Sequence, residues 1–435
     1  MAKTTFITAG DAFITKRLPE DGYEGFGELA ACIRSHDVRF LNLESTFHDC
    51  EGYPAAESGG TWAMSDPRTL DDVKDRYGFN IFNTANNHSA DYGEGGLLAT
   101  VQNLKARDMV FSGTGENLGE ASKPCYLETK HTRVALISCC ATTKAASCAG
   151  DQTRNLPGRP GLNPLRYNEI YHLDPEHFEM AQKVAGISGI NRTKEKSIRN
   201  GYAMPFKEGT QPMGSINFKL DDHNWIENTP NEKDMKRIEE EIREAKRQAD
   251  VVLVSIHNHY LDSYDNTRAP KFLEIFGKRC IDAGATAMIG HGPHELQAIE
   301  LYKGGVIFYS IGNFIFETET VEFQPWDAYH NRNMSITDTK VGAYMDDRSK
   351  NGTQGYCVQW PIWNAVMAAW TMEDGDITEI QLHTVDLGME KPRGTKGRPV
   401  MNHSTETLEY LQKICEPYGT KIEIRDGTGY IKVKE

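Results

Sequence analysis

The sequence predicts a layered α/β fold, and three observations carry that expectation. Short apolar runs rich in Val, Ile and Phe alternate with segments whose apolar residues recur at helical spacing. Several of those runs stop abruptly at polar residues able to bind a cation. The chain has 435 residues, 39% hydrophobic and 25% charged, which is enough to bury a sizeable core. Alternating strands and helices favour sheets covered by helices. In such folds ligands sit outside the carboxyl ends of the strands.

The elements follow in order. Residues 4–9 read as a first strand leading to Gly10-Asp11, and Phe26, Leu29, Ala30 and Ile33 share a helical face. Residues 38–43 lead to Glu44, and residues 80–85 lead to Asn86-Asn87-His88. Leu97, Leu98, Val101 and Leu104 mark the next helix. Residues 158–230 break the rhythm with a helix over 174–186 and a polar, Gly-rich stretch over 191–214. They are expected to form a cap insertion over the strand ends. Met235, Ile238, Ile242 and Ala245 form the stripe of a long charged helix, otherwise a solvated face. Residues 251–256 lead to His257, 286–289 to Gly290-His291, and 306–311 to Gly312-Asn313.

After Phe316 the pattern is expected to return to strands. Residues 363–372 and 377–385 flank Asp374-Gly375, and Asp426-Gly427 separates 421–425 from 430–433; both dipeptides are hairpin signals. Residues 404–415 read as a capped helix with Leu408 and Leu411 inward. The expected organisation is a single domain over 1–435 with its cap at 158–230. A β-rich C-terminal extension at 355–435 packs on the core.

A net charge of −14 argues against non-specific binding to nucleic acid or anionic membranes, which needs basic patches. An anionic substrate at a local positive or metal-bearing site stays possible. No run reaches the ~20 continuous apolar residues of a membrane span. The start, Met1-Ala2-Lys3, passes into a strand-like run without the features of a signal peptide, so a cytoplasmic location is expected. Nine cysteines suggest no disulfide framework; Cys139 and Cys140, inside an apolar run, read as buried free thiols.

The strand ends hold the chemistry. Asp11 follows a glycine that lets the backbone turn and present the carboxylate, although an Asx-turn or helix cap explains Asp11 alone. Glu44 closes a strand that reads as buried, and a buried carboxylate needs a cation or an Arg nearby. In Asn86-Asn87-His88 an amide oxygen can ligate a metal without adding charge, and an imidazole can donate a proton or steady an oxyanion. Residues 91–96 look like a loop entering a helix, whose N-terminus favours an anion.

His257 and His259 fall on one side if their strand continues. Gly290-His291-Gly292-Pro293-His294 is the most specific local element, because two histidines in a Gly/Pro-constrained turn converge at little entropic cost. Imidazole suits Zn, Mn, Fe or Ni. One histidine alone reads as a core or surface residue; these histidines beside carboxylates at strand ends read as a metal centre. Trp62, after Gly59-Gly60-Thr61, is a candidate pocket residue or surface anchor. Arg159 and Arg166 are candidates for gripping a substrate carboxylate, with salt bridges inside the cap as the plainer reading.

Together these motifs resemble the CapA (poly-γ-glutamate capsule synthesis) family, within the calcineurin-like metallophosphatase superfamily. The residues concerned are Gly10-Asp11, Asn42-Leu43-Glu44, Ala85-Asn86-Asn87-His88, Asp91-Tyr92-Gly93, His257 and Gly290-His291-Gly292-Pro293-His294. The segments 307–314, 158–164 and 397–399 extend the likeness over nearly the whole chain. The resemblance implies a four-layer α/β/β/α sandwich with its metal site at the sheet edge. It implies that Asp11 and His294 hold a first divalent ion and Asn87, His257 and His291 a second. Glu44 stands at the bridging position, and His88 acts as acid or oxyanion partner.

Departures from the superfamily pattern matter. Asp11-Ala12-Phe13 stands where the superfamily has Asp-x-His, and Glu44 replaces the usual Asp. Asn258-His259 replaces Trp-Gly, so His259 is the candidate for the missing ligand. One or two ions of Mn, Zn or Fe are implied, with metal-free operation left open. The implied activity is a metal-dependent hydrolase acting on a phosphoester or a γ-glutamyl or peptide amide, with Glu44, His88 and His259 as catalytic candidates. The alternatives are an acid/base peptide epimerase in the same pocket and a non-catalytic accessory of poly-γ-glutamate synthesis. An accessory of a membrane synthase usually carries an N-terminal anchor, and none is read here. Oligomeric state is not legible.

Overall fold

A computed structural model describes residues 3–265 and 267–433. Met1 and Ala2, on which the reading of the chain start partly rests, lie outside the described residues. The fold is mixed α/β, with two large sheets.

The first strand, Thr4–Phe13, runs on through Gly10 and Asp11, correcting the expected turn. Gly10 is needed for a different reason. A Cβ there would lie 1.8 Å from the Gly312 carbonyl oxygen, and the Asp11 amide donates to that oxygen at 3.2 Å. Only a residue without a side chain permits that approach. The register against Val38–Leu43 slips between Thr8 and Asp11, a bulge that re-aims the carboxylate.

Thr4–Phe13, Val38–Leu43 and Ile81–Asn83 run parallel in a ten-stranded sheet. Arg133–Cys140, Val251–His257 and Ala287–His291 run parallel in a six-stranded one. Side-chain alternation divides the first sheet's residues. Phe6, Phe40 and Ile81 join a core with Leu136, Leu253 and Met288 of the second sheet. Ile7, Leu41 and Phe82 join another core with Leu29, Ile33 and Leu104 of the helices Phe26–Arg34 and Gly93–Lys105. The charged helix Glu232–Gln248 is capped by the Asn231 side chain and lays Met235, Ile238, Ile242 and Ala245 against the six-stranded sheet.

Within 158–230, Gly161–Leu162 pairs with Thr114–Gly115, which ties the start of the segment to the core. Tyr167–Leu173, Thr210–Met213, Ile216–Leu220 and Trp225–Pro230 then form a separate four-stranded sheet. The helix Pro175–Ser188 starts from an Asp174 cap. A second helix, Arg192–Arg199, lies inside the stretch read as polar loop. It buries none of its residues, so it shows no apolar periodicity to detect.

The C-terminal strands extend the first sheet itself. Asn364–Glu373 pairs antiparallel with Thr4–Phe13, followed outward by Asp376–Asp386, Thr428–Ile431 and Ile422–Arg425. The expected return to strands after Phe316 is corrected for residues 318–363. Short helices fill that segment, including Trp326–His330, Val341–Arg348 and Gly355–Val358.

Candidate metal centre

Strand register sets the site. Asn313, Asp11, Asn42 and Asn83 lie side by side across four strands of the first sheet. Cys140, His257 and His291 lie side by side across the second. Apart from Asn313, which opens the strand Asn313–Phe316, both rows fall at or near the carboxyl ends of parallel strands. The shared core seals the space beneath them, and their polar side chains meet above it.

Asparagines orient the first row. Asn83 donates to Asn42, and Asn42 Nδ2 donates to Asp11 Oδ1 at 2.6 Å. Gly292 N donates to Asp11 Oδ2 at 2.9 Å. Around Asp11 stand His291 Nδ1 at 3.4 Å, His294 Nδ1 at 3.5 Å and His257 Nδ1 at 3.6 Å. Burial pushes the Asp11 carboxyl up, but the three histidines facing it outweigh that and hold the group well below the usual range. Burial, opposed by Asp11, pushes His257 down to about 4. Ser255 Oγ lies 2.8 Å from His291 Nε2 and so leaves Nδ1 to the centre. Asn313 Oδ1 lies 2.8 Å from His294 Nδ1, leaving Nε2 directed at Glu44.

Glu44 has different surroundings. It is fully buried, and neither carboxylate oxygen has a hydrogen-bond partner among the described residues. His257, His294 and His259 present their Nε2 atoms 3.6, 3.8 and 3.9 Å from Oε1. Those gaps are too long for hydrogen bonds. They lie a few tenths of an ångström above the edge of about 3.4 Å between donors that each sit about 2.1 Å from one tetrahedral ion. Burial first, then the charges of Asp11 and Asp91, pushes the Glu44 carboxyl well above its ordinary value. Two donor groups result, Asp11 with His257 and His291, and Glu44 with His259 and His294. His257 and His259 join them, with their Nε2 atoms 2.9 Å apart. An orphaned buried carboxylate ringed by imidazoles is a donor set that fits a divalent cation.

The remaining candidates are placed as follows. Asn87 donates to the Gly59 carbonyl at 2.8 Å, while its buried Oδ1 has no partner among the described residues. His88 Nδ1 lies 2.7 Å from Asp91, which also accepts from the amides of Gly59 and Ala63. Phe13, at the position of the absent superfamily histidine, packs edge-on against His88 with ring centroids 5.2 Å apart. Trp62 is buried in the core with its indole N–H on the Ala55 carbonyl. Arg159 is exposed and donates to the Cys148 carbonyl. Arg166 grips Asp234 through two nitrogens at 2.7 and 2.8 Å. The structure thus brings Asp11, Glu44, His257, His259, His291 and His294 together, and places Trp62 and Arg166 in structural contacts.

Asn42, Asn83, Asn313 and Ser255 orient these ligands, and sequence reasoning gave them no role. Ser255 carried a usable signal, since it is a polar residue inside an otherwise apolar run. Beside the centre opens a cavity of about 570 Å³ lined by Asn87, Asp91, Thr142, Lys144 and Tyr260. Thr142 Oγ1 accepts from the His259 amide at 2.7 Å, which ties this wall to the centre. Among the described residues no helix is long and apolar enough to cross a membrane.

Comparison with known proteins gives the chain its family. A protein of Sinorhizobium fredii, "Uncharacterized protein y4sH", is 30% identical over 440 residues, covering 99% of this chain and 93% of its own. "Capsule biosynthesis protein CapA" of Bacillus anthracis is 27% identical over 294 residues, 67% of this chain and 53% of its own. The "Probable polyglutamine synthesis accessory protein" of Mycobacterium tuberculosis is 29% identical over 308 residues, 70% of this chain and 62% of its own. The sequence model of "Bacterial capsule synthesis protein PGA_cap" matches residues 5–318, a range that includes every ligand candidate from Asp11 to His294. The chain belongs to this bacterial capsule synthesis family, CapA among its relatives, whose members are associated with poly-glutamate capsule synthesis.

Proposed function

We propose that this protein is a metal-dependent hydrolase acting on a phosphoester or on a γ-glutamyl or peptide amide. The observation that carries the reading is Glu44, buried with neither oxygen hydrogen-bonded among the described residues, at the meeting point of two His/carboxylate donor groups. A structural carboxylate at such depth would be paired. Asp11, His257 and His291 are proposed to hold one divalent ion and Glu44, His259 and His294 a second, with the Asn87 amide oxygen as a further donor.

A divalent cation held there supplies Lewis acidity and a water acidified toward neutral pH. The chain's own residues do the rest. The Asn83–Asn42–Asp11 chain of hydrogen bonds and the Ser255–His291 contact fix ligand orientation before substrate arrives. His88, oriented by Asp91, is proposed to hold a proton at Nε2 for the leaving group. The adjoining cavity admits a substrate arm, and the buried floor excludes bulk water.

A second reading, a non-catalytic accessory of capsule polymer synthesis, is favoured by the name of the mycobacterial relative. One experiment separates the two. Protein purified without chelator is analysed for metal, then assayed on a phosphodiester and on a γ-glutamyl amide. The hydrolase reading expects about one or two ions per chain and turnover of one substrate. His294→Ala and Asp11→Asn should each lower turnover at least about a hundredfold with the fold intact by circular dichroism. Metal-loaded protein inert toward both substrates supports the accessory reading.

A further inference from the structure

The segment 318–363 holds short helices where strands are expected, and all but its first residue lies beyond the family match. It nevertheless reaches the centre. Tyr356 stands edge-on to His294 with ring centroids 5.6 Å apart and packs on Phe316 at 5.3 Å. The Tyr356 carbonyl accepts the buried Trp363 indole N–H at 2.7 Å, which locks the turn that presents the ring. Behind Tyr356 lies a cavity of about 340 Å³, lined also by Gly60, Glu319, Arg348, Gln354 and Cys357. Gly60 belongs to the loop whose neighbouring Gly59 receives Asn87, so this cavity and the larger one meet the centre along one loop.

The charges in this cavity are unequal. Glu319 is neutralised by Arg393 at 3.2 Å and Lys396 at 3.7 Å. Arg348, half-buried, has no carboxylate partner among the described residues. Nearby carboxylates are occupied elsewhere: Asp347 by Arg332 and Lys350, and Asp346 by Arg393. A guanidinium held in a concave wall and left unpaired is the counterpart of an anion, because its fork matches carboxylate and phosphate oxygens. Arg348 also ends the helix Val341–Arg348, where its charge suits the helix dipole. That role needs no cavity and no neighbouring Tyr356.

We infer that Arg348 forms an anion-binding subsite, walled by Tyr356, that grips a carboxylate or phosphate of the substrate beyond the group that reacts. The inference rests on the hydrolase reading of the neighbouring centre. In this chain substrate choice would therefore be set by a segment outside the family match, while the metal ligands lie within it.

The test uses the full chain loaded with manganese and titrated calorimetrically with three probes. These are γ-glutamylglutamate, the same dipeptide with its carboxylates amidated, and glycerol 2-phosphate. The parent should bind at least one anionic probe, and which one identifies the anion as carboxylate or phosphate. Arg348→Gln should bind that probe at least about tenfold more weakly, with metal content and melting temperature unchanged. Tyr356→Phe, which keeps the wall, should bind as the parent does. Binding of neither anionic probe by the parent overturns the inference. So does equal binding by Arg348→Gln and parent, equal binding of the amidated dipeptide, or metal loss in Arg348→Gln. A parent that takes up neither manganese, zinc nor iron overturns the hydrolase reading itself, and elemental analysis shows this before any probe is added.

Discussion

Two buried carboxylates in this molecule are treated in opposite ways. Asp234, at the root of the segment 158–230, has a fully buried side chain and is completely paired. Arg166 grips it through two nitrogens and its own amide, and Arg237 adds a contact at 2.7 Å. Burial pushes the Asp234 carboxyl up, but those guanidinium bonds prevail and hold it below its usual value. Glu44 is equally buried, has no hydrogen-bond partner among the described residues, and is held well above its usual value. The first is a fastener between the insertion and the core. The second would be a defect unless something outside the polypeptide completes it. Burial alone therefore does not mark a functional carboxylate; burial without a partner does.

The comparison predicts opposite consequences for removing each group. The largest effect is expected from Asp234→Ala, which leaves two guanidinium groups without their acid. It should lose about 3 kcal/mol of stability in urea unfolding, with metal uptake by the refolded protein intact. Loss of metal binding with unchanged stability would reverse the roles assigned here. Glu44→Gln should do the converse. Affinity for a divalent ion, read by titration, should fall at least about a hundredfold, or ~2.7 kcal/mol. The metal-free variant should be no less stable than the metal-free parent, because an uncompensated acid has been replaced by a neutral amide. A metal-free variant that unfolds more easily would show that Glu44 has a partner within the chain.

The smallest effect is in pH dependence, and its sign differs between the two. Between the lowered folded value of Asp234 and its unfolded value near 3.8, the unfolded chain binds the extra proton. Asp234 therefore stabilises above that window and ceases to as pH falls through it. For Glu44 the folded state binds the extra proton above about 4.5. Its contribution in metal-free protein is thus lost as pH rises through its raised folded value. Each slope is at most about 1.4 kcal/mol per pH unit. Stability curves of Asp234→Asn and Glu44→Gln, each subtracted from the parent's, should show the two opposite slopes. Slopes of one sign would remove the distinction.

How much of this was legible depends on the residue. His291 and His294 were legible because glycine and proline crowd them into one turn, a local property. Glu44 was legible because a carboxylate ending an apolar strand contradicts its neighbours. Asn42 and Asn83 were not, because their role comes from strand register: each faces the next across a sheet whose strands are remote in sequence. The fate of Trp62 and Arg166 was also hidden. An aromatic in a glycine-rich loop and an arginine in an insertion look the same whether they face a ligand or a structural partner.

The sequence by itself determined the alternation of strands and helices, the polar strand ends and the family, because periodicity and motif are properties of neighbouring residues. Only the tertiary structure decided the rest. It opposed the two rows of strand ends, left Glu44 unpartnered among imidazoles, gave Asp234 its guanidinium partners, and folded Tyr356 back onto His294. These outcomes depend on which distant segments share a cavity, and a carboxylate's charge state is set by that company rather than by its place in the chain.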